Sequence, residues 1–472
     1  MNALRKDLLR LAAQAEQAAP PAGAWGLDVH LTPPVGWLND PNGLCYAGGY
    51  YHVFYQYAPF DPEGGVKFWG HFRSRDLLRW ERCPVMLCPD QPFDVHGAYS
   101  GSALEGDGGL YLYYTGSVKY DGDHDYVLSG RENNTALAFS PDGVHLGWKR
   151  RLLGQSDYPV GMSCHVRDPK VWRQDGQYYM VLGARTAEDR GVCLVYASPD
   201  GLAWRHINTL QTPQSFGYMW ECPDLFQLDG QWFLMVSPQG VERRGPGFEN
   251  QYACGYFPLS GDFRGAYTLG EFVPLDFGFD FYAPQTFTAG TRRLLVGWMG
   301  MPDAPYTNPT AAQGWQHCLT QVRELSVRDG HLQMTPAPEL EALGEGTPAA
   351  FGEGSIPLPR AADIRVTCEG PAVLELAGAE LRAEQGALTL TIRRGGWGRT
   401  RRTAPVDEVR TLRILADVSA LEIFVNGGQA VLSARWYPEE GPRTLTLRGR
   451  GRGEIRRLRP LEITKYQEEQ SQ

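Results

Sequence analysis

Three short acidic motifs stand out in this 472-residue sequence: Asn39-Asp40-Pro41-Asn42-Gly43, Arg167-Asp168-Pro169 and Glu221-Cys222-Pro223-Asp224. A carboxylate can attack an electrophilic carbon, and a carboxylic acid can protonate a leaving oxygen. Cleavage of a glycosidic bond with retained configuration needs both, about 5–5.5 Å apart. Asp40 is set among Asn39, Asn42 and Gly43, whose amides are expected to hydrogen-bond its carboxylate and keep it ionised, as a nucleophile requires. Glu221 follows Met219-Trp220 and precedes Cys222-Pro223, an apolar neighbourhood expected to raise its pKa, as a general acid requires. Asp168, beside Arg167, reads as a third acid, better placed to hold hydroxyls and favour a cationic transition state.

The elements that must position these acids follow one repeated pattern. A glycine-containing polar turn is followed by an aromatic, branched strand at Gly48-Gly49, Gly108-Gly109, Asp175-Gly176, Asp229-Gly230 and, more weakly, Gly290-Thr291. Each reads as a tight β-hairpin turn. Spacing of roughly 55–65 residues with several short strands per unit is that of propeller blades, and the copies suggest five. The strand before each turn should then be innermost, with Asp40, Asp168 and Glu221 at equivalent positions in blades one, three and four. The predicted fold is all-β: a helical segment over 1–27, with its helix at 3–19, a propeller over 28–335, a linker over 336–359 and a β-sandwich over 360–472.

Composition narrows the function. A net charge of −9 argues against a nucleic-acid or anionic-membrane partner. The basic run from Arg448 to Arg459 reads as an exposed strand face. Charged residues interrupt the leucines near the start, no stretch has the length of a membrane span, and nine irregularly spaced cysteines lack a Cys-x-x-Cys pair. These features point to a cytoplasmic protein with free thiols. The acidic loop Asp121 to Asp125 reads as solvated, and His71 and His165 as structural histidines.

The three acidic motifs, in this order, closely resemble the signatures of glycoside hydrolase family 32, the invertases and their relatives. The likeness extends through Phe54-Tyr55-Gln56-Tyr57, Trp69-Gly70-His71, Tyr99-Ser100-Gly101-Ser102, Asp280 to Gln285, Gly297-Trp298-Met299 and Leu421 to Asn426. The resemblance implies a five-bladed propeller followed by a β-sandwich, a double-displacement mechanism, and neither cofactor nor metal. It makes Asp40 the nucleophile, Asp168 the transition-state stabiliser and Glu221 the acid/base. Trp37, Asn39, Gln56, Trp69, Tyr99, Ser100, Arg167, Tyr282 and Trp298 would line the sugar site, and Cys222 would tune Glu221. The implied substrate is sucrose or sucrose 6-phosphate; fructan hydrolysis, fructosyl transfer and a non-catalytic sugar-binding propeller are the alternatives. Two segments depart from the family pattern, the stretch from Pro59 to Phe68, with Ala58-Pro59-Phe60 and the insert Asp61 to Gly65, and Thr320 to Leu325; they bear on leaving-group specificity and blade closure. Arg131, Arg185, Arg190, Arg243 and Arg244 are candidates for a phosphate clamp.

Overall fold

The computed structural model describes residues 2–393, 398–438 and 441–468. Antiparallel sheets succeed one another around a common axis, each opening on a long inner strand: Gly36–Ala47, Ala98–Gly106, Met162–Gln174, Met219–Leu228 and Tyr282–Ala289. Each inner strand packs beside the next, and the last returns to the first, which makes the arrangement a propeller. Every expected hairpin turn is present between the first two strands of its sheet. At Gly48-Gly49, Asp175-Gly176 and Asp229-Gly230 both turn residues have positive φ, the conformation that matches the twist of the flanking strands.

The first sheet gathers its remaining partners from far along the chain. Trp315–Gln316 pairs in parallel with the start of its inner strand, and Glu462–Lys465 pairs in parallel with its outer strand, Arg79–Leu87. The N-terminal helix, Ala3–Gln17, ends two residues short of expectation and lies against this sheet. Asn2 caps it, Leu8 and Leu9 meet the core, and Arg5 reaches buried Asp90 at 2.7 Å.

Residues 336–359 are not the linker that their Pro, Gly and Ala content suggests. They hold a 3₁₀ turn, Pro338–Leu343, and the strands Gly344–Phe351 and Gly354–Pro357, which pair with Thr444–Leu458. The open edge of that long strand supplies the hydrogen bonds that override a loop-like composition. Together with strands out to 458 they form one hydrogen-bonded sheet folded on its own apolar core, a β-sandwich-like unit around Ile364, Leu390, Ile423, Leu432 and Trp436. The basic run lies on Thr444–Leu458, where Arg448 and Arg457 face Glu375 and Glu345, each at 3.1 Å.

The two units are joined by a buried ionic network. His30 holds Asp417 at 2.8 Å through Nδ1 and Glu422 at 3.1 Å through Nε2. Glu422 also accepts from Arg323 Nη2 at 2.6 Å, and Arg323 in turn donates to Ser433 and faces Asp276. Arg323 thus anchors the departing segment Thr320 to Leu325 to the second unit. Burial works against a charged imidazole, but the hydrogen bonds and charges of Asp417 and Glu422 outweigh it and raise the His30 pKa to about 9.

The stability contributed by this raised pKa is fully present below the ordinary histidine value and is lost as pH rises through about 9. His30→Gln is therefore expected to lower the thermal midpoint at pH 6.5, with a cost on the order of 3 kcal/mol, and to cost clearly less at pH 9.5. Equal losses at both pH values would show a neutral His30 in the folded protein.

Candidate active site

The inner strands share an irregularity at the same end. Register shifts fall between Leu38 and Pro41, Tyr99 and Gly101, Arg167 and Lys170, Glu221 and Asp224, and Tyr282 and Gln285. A bulge adds residues to one strand and re-aims its side chains. In the last three strands the bulge opens on a non-glycine residue in the left-handed region, Asp168 (φ 64), Cys222 (φ 48) and Ala283 (φ 47), followed by a proline. This register corrects the expected equivalence of the acids. Asp168 shares its position with Cys222 and Ala283, whereas Glu221 stands one residue earlier, with Arg167 and Tyr282. The offset comes from the bulges, which the spacing of the turns does not show.

The offset brings the three carboxyl groups together. Cys222, the neighbour of Glu221, donates its backbone N–H to Asp168 Oδ2 at 2.9 Å, and its thiol lies 3.7 Å from Asp40 Oδ2. These contacts tie Cys222 to the two aspartates rather than to the Glu221 carboxylate that it was expected to tune.

Asp40 accepts from Ser100 Oγ at 2.5 Å, Asn39 Nδ2 at 3.0 Å and Gln56 Nε2 at 3.2 Å. The expected donors Asn42 and Gly43 do not reach it. Asn42 is fully buried and, with its amide turned to suit its neighbours, donates to Ser100 Oγ at 3.2 Å and accepts from the Gln56 N–H at 3.0 Å. Gly43 lies under Phe54 and Trp69, where a Cβ would come within 2.8 and 2.9 Å of their rings. Nor is Asp40 simply held ionised: burial raises its pKa, Ser100 and Asn39 oppose the rise, and the Glu221 charge adds to it.

The Glu221 carboxylate does not meet the apolar surroundings of its sequence neighbours. It accepts from Arg167 Nη2 at 2.6 Å, Tyr282 OH at 2.7 Å and Gln239 Nε2 at 2.8 Å. Asp168 is 6 % exposed, with Arg167 Nε at 3.9 Å. Burial pushes its pKa up to about 7, against the pull of Arg167 and with the repulsion of Glu221 and Asp40. Its N–H donates to Thr115 Oγ1 at 2.8 Å, and the Thr115 hydroxyl donates to the Ser100 carbonyl at 3.2 Å. One side chain thereby sets the spacing of two neighbouring inner strands.

The aromatic residues divide into two layers. Trp37 is half-buried and fixes Asn39 by donating to its Oδ1 at 3.0 Å. Tyr99 is half-buried, and its carbonyl accepts from Trp69 Nε1 at 3.0 Å. Trp69 itself is 0 % exposed in a core with Phe54 and Tyr114, so it braces the strand that carries Ser100 and does not line the site. Trp298, 1 % exposed, likewise stands behind Trp37 and Tyr282, with ring centres at 6.0 and 6.3 Å. Sequence reading missed Lys67, Thr115 and Gln239. Lys67 lies over the Trp37 ring at 5.0 Å, and burial lowers its pKa to about 8 while Asp40 pulls it up. Its place within the departing stretch from Pro59 to Phe68 was the available signal; Thr115 and Gln239 carried none.

Carboxyl groups brought together where the inner strands bulge, one held by an arginine and one by hydroxyl and amide donors, are what a glycoside hydrolase needs, and the class is borne by the sequence comparisons. Residues 30–336 match the glycosyl hydrolases family 32 N-terminal domain, and residues 382–463 match the family 32 C-terminal domain. The chain is 38% identical over 448 residues to a sucrose-6-phosphate hydrolase of Bacillus subtilis, covering 90% of this chain and 92% of that one. It is 42% identical over 431 residues to a sucrose-6-phosphate hydrolase of Klebsiella pneumoniae, covering 87% and 88%. A solved family 32 β-fructofuranosidase of Bombyx mori superposes with a TM-score of 0.86 at 30% identity, over 98% of this chain and 100% of that one. The chain belongs to glycoside hydrolase family 32.

Thr115→Val keeps the shape of the side chain and removes the shared hydroxyl, leaving the Asp168 N–H and the Ser100 carbonyl unmatched. It is expected to cost about 1–3 kcal/mol of stability and, by letting the carboxyls drift, about tenfold in turnover. Unchanged turnover would show that the bulges alone hold them.

Proposed function

We propose that this protein is a retaining β-fructofuranosidase that hydrolyses sucrose, sucrose 6-phosphate or both. The observation that carries the reading is the contact of Cys222 with both aspartates, because it sets Glu221, the adjacent residue, beside Asp40 and Asp168. The family membership and the named relatives support the substrate class.

In this scheme the Asp40 carboxylate attacks the anomeric carbon of the fructosyl unit. The carbon–oxygen bond to the leaving sugar breaks as Glu221 gives its proton to that oxygen. Glu221 then takes a proton from water, the water oxygen attacks the same carbon, and Asp40 is released with its electron pair. Asp168, anchored by the Cys222 N–H, offers negative charge to the cationic transition state. Arg167 holds Glu221 in place, and Asn39, Gln56, Ser100 and Tyr282 surround the fructosyl unit.

The same reading takes the propeller as five-bladed, supported by the ring of inner strands, with a catalytic unit over 28–335 and the sandwich after it. Nine buried free thiols suit the reducing environment of the cytoplasm. Among the described residues no helix is long and apolar enough to cross a membrane.

Asp40→Asn and Glu221→Gln should each lose several orders of magnitude in turnover, and the first-formed fructose should keep the substrate's configuration. Initial release with inversion, followed by NMR, would overturn the covalent scheme.

Asp168 must be ionised to favour the cationic transition state, and burial pushes its pKa up to about 7, so kcat/KM should fall as pH drops through the neutral region. A flat profile from pH 8 down to pH 5 would uncouple the Asp168 proton from catalysis.

A further inference from the structure

Two guanidinium groups converge on one imidazole beside Glu221, and a third, Arg185, stands on the neighbouring strand opposite the stretch that carries the imidazole. Arg167 Nη1 and Arg131 Nη1 lie 2.8 and 3.3 Å from His165 Nδ1. His165 Nε2 lies 3.0 Å from the Tyr126 carbonyl, so Nε2 carries the proton and Nδ1 accepts. The ring is neutral, since burial and the surrounding guanidinium charges push its pKa down to about 3. A hydrogen-bonded path therefore runs from Glu221 Oε1 through Arg167 and His165 to Arg131.

Charge along this path is unevenly matched. Arg167 faces Glu221 at 2.6 Å and Asp168 at 3.9 Å, and Arg185 faces the exposed Asp189 at 2.6 Å. Arg131 is half-buried at the start of the strand Arg131–Ser140 and has no ion pair among the described residues. Its Nε is buried without a partner. A desolvated guanidinium with donors left open is costly unless an anion takes them. The other candidate arginines are engaged elsewhere: Arg190 donates to the Thr212 and Pro213 carbonyls, Arg243 donates to Gln251, and Arg244 lies over the Phe248 ring at 5.2 Å.

We propose that Arg131, with Arg185 from the neighbouring strand, binds a phosphate monoester on the leaving sugar, which makes this rim the phosphate subsite for sucrose 6-phosphate. The inference rests on the β-fructofuranosidase reading above. Glu221 protonates the leaving oxygen, so the departing sugar lies over Glu221, at the near end of the path that leads to Arg131. A guanidinium is suited to bidentate contact with a phosphate dianion, and Asp189 is exposed and free to yield Arg185 to a stronger anion.

The test compares kcat/KM for sucrose and sucrose 6-phosphate in the wild type, Arg131→Gln and Arg185→Gln. Arg131→Gln is expected to lower the ratio of sucrose 6-phosphate to sucrose by about 30-fold, chiefly through KM, and Arg185→Gln by less. In the wild type, which needs no variant to fold, glucose 6-phosphate should inhibit at least about tenfold more tightly than glucose. Equal losses on both substrates would overturn the subsite and leave Arg131 as a support for His165 and Arg167. An unchanged ratio, or equal inhibition by the two sugars, would overturn it as well. Wild-type protein that cleaves neither substrate would retire the β-fructofuranosidase reading itself, whereas cleavage of sucrose without preference for the phosphate ester would retire only the subsite.

Discussion

Three carboxyl groups drawn into one channel mouth repel one another, and much of the surrounding structure serves to hold them there. Burial drives Asp40 and Asp168 towards the neutral acid. Ser100 counters this for Asp40 at 2.5 Å and the Cys222 N–H for Asp168 at 2.9 Å, while Arg167 holds the Glu221 carboxylate at 2.6 Å. The result is a cluster of acids with different donors, in which Asp168 keeps its proton up to about pH 7. Difference of environment, more than difference of residue type, lets one carboxyl act as acid while its neighbour attacks.

The bulges make that crowding feasible. A regular strand would send successive side chains to opposite faces, so Glu221 and the residue after it could not both serve one site. With Cys222 in the left-handed region, its N–H turns to Asp168 while Glu221 keeps its place beside Arg167. The strain is confined to a few residues, and Thr115 fixes the neighbouring strand at the same level.

Much of this was legible in sequence. The hairpin turns are legible because paired positive φ values demand glycine, aspartate or asparagine, and the three acids stand out in sequence because each lies just ahead of a proline in a short motif. What could not be read were contacts made across sheets. The donors to Glu221 come from Arg167, Gln239 and Tyr282, which no local window joins. Trp69 was misread for the same reason: an aromatic residue in a motif suggests a sugar platform, but only packing shows it sealed beneath Phe54 and Tyr114. Residues 336–359 were misread because a strand of weak composition can be held by the edge it completes.

The pairing of Glu462–Lys465 with Arg79–Leu87 has a consequence for how the molecule is made. The first sheet leaves the ribosome long before its outermost strand, which must wait for the rest of the propeller and nearly all of the sandwich-like unit. During synthesis that flank stands bare, with Trp80 and its neighbours on a strand edge of the kind that recruits other chains. Its late covering makes the second unit a finishing clasp for the first, so the two mature as one body although each has its own core.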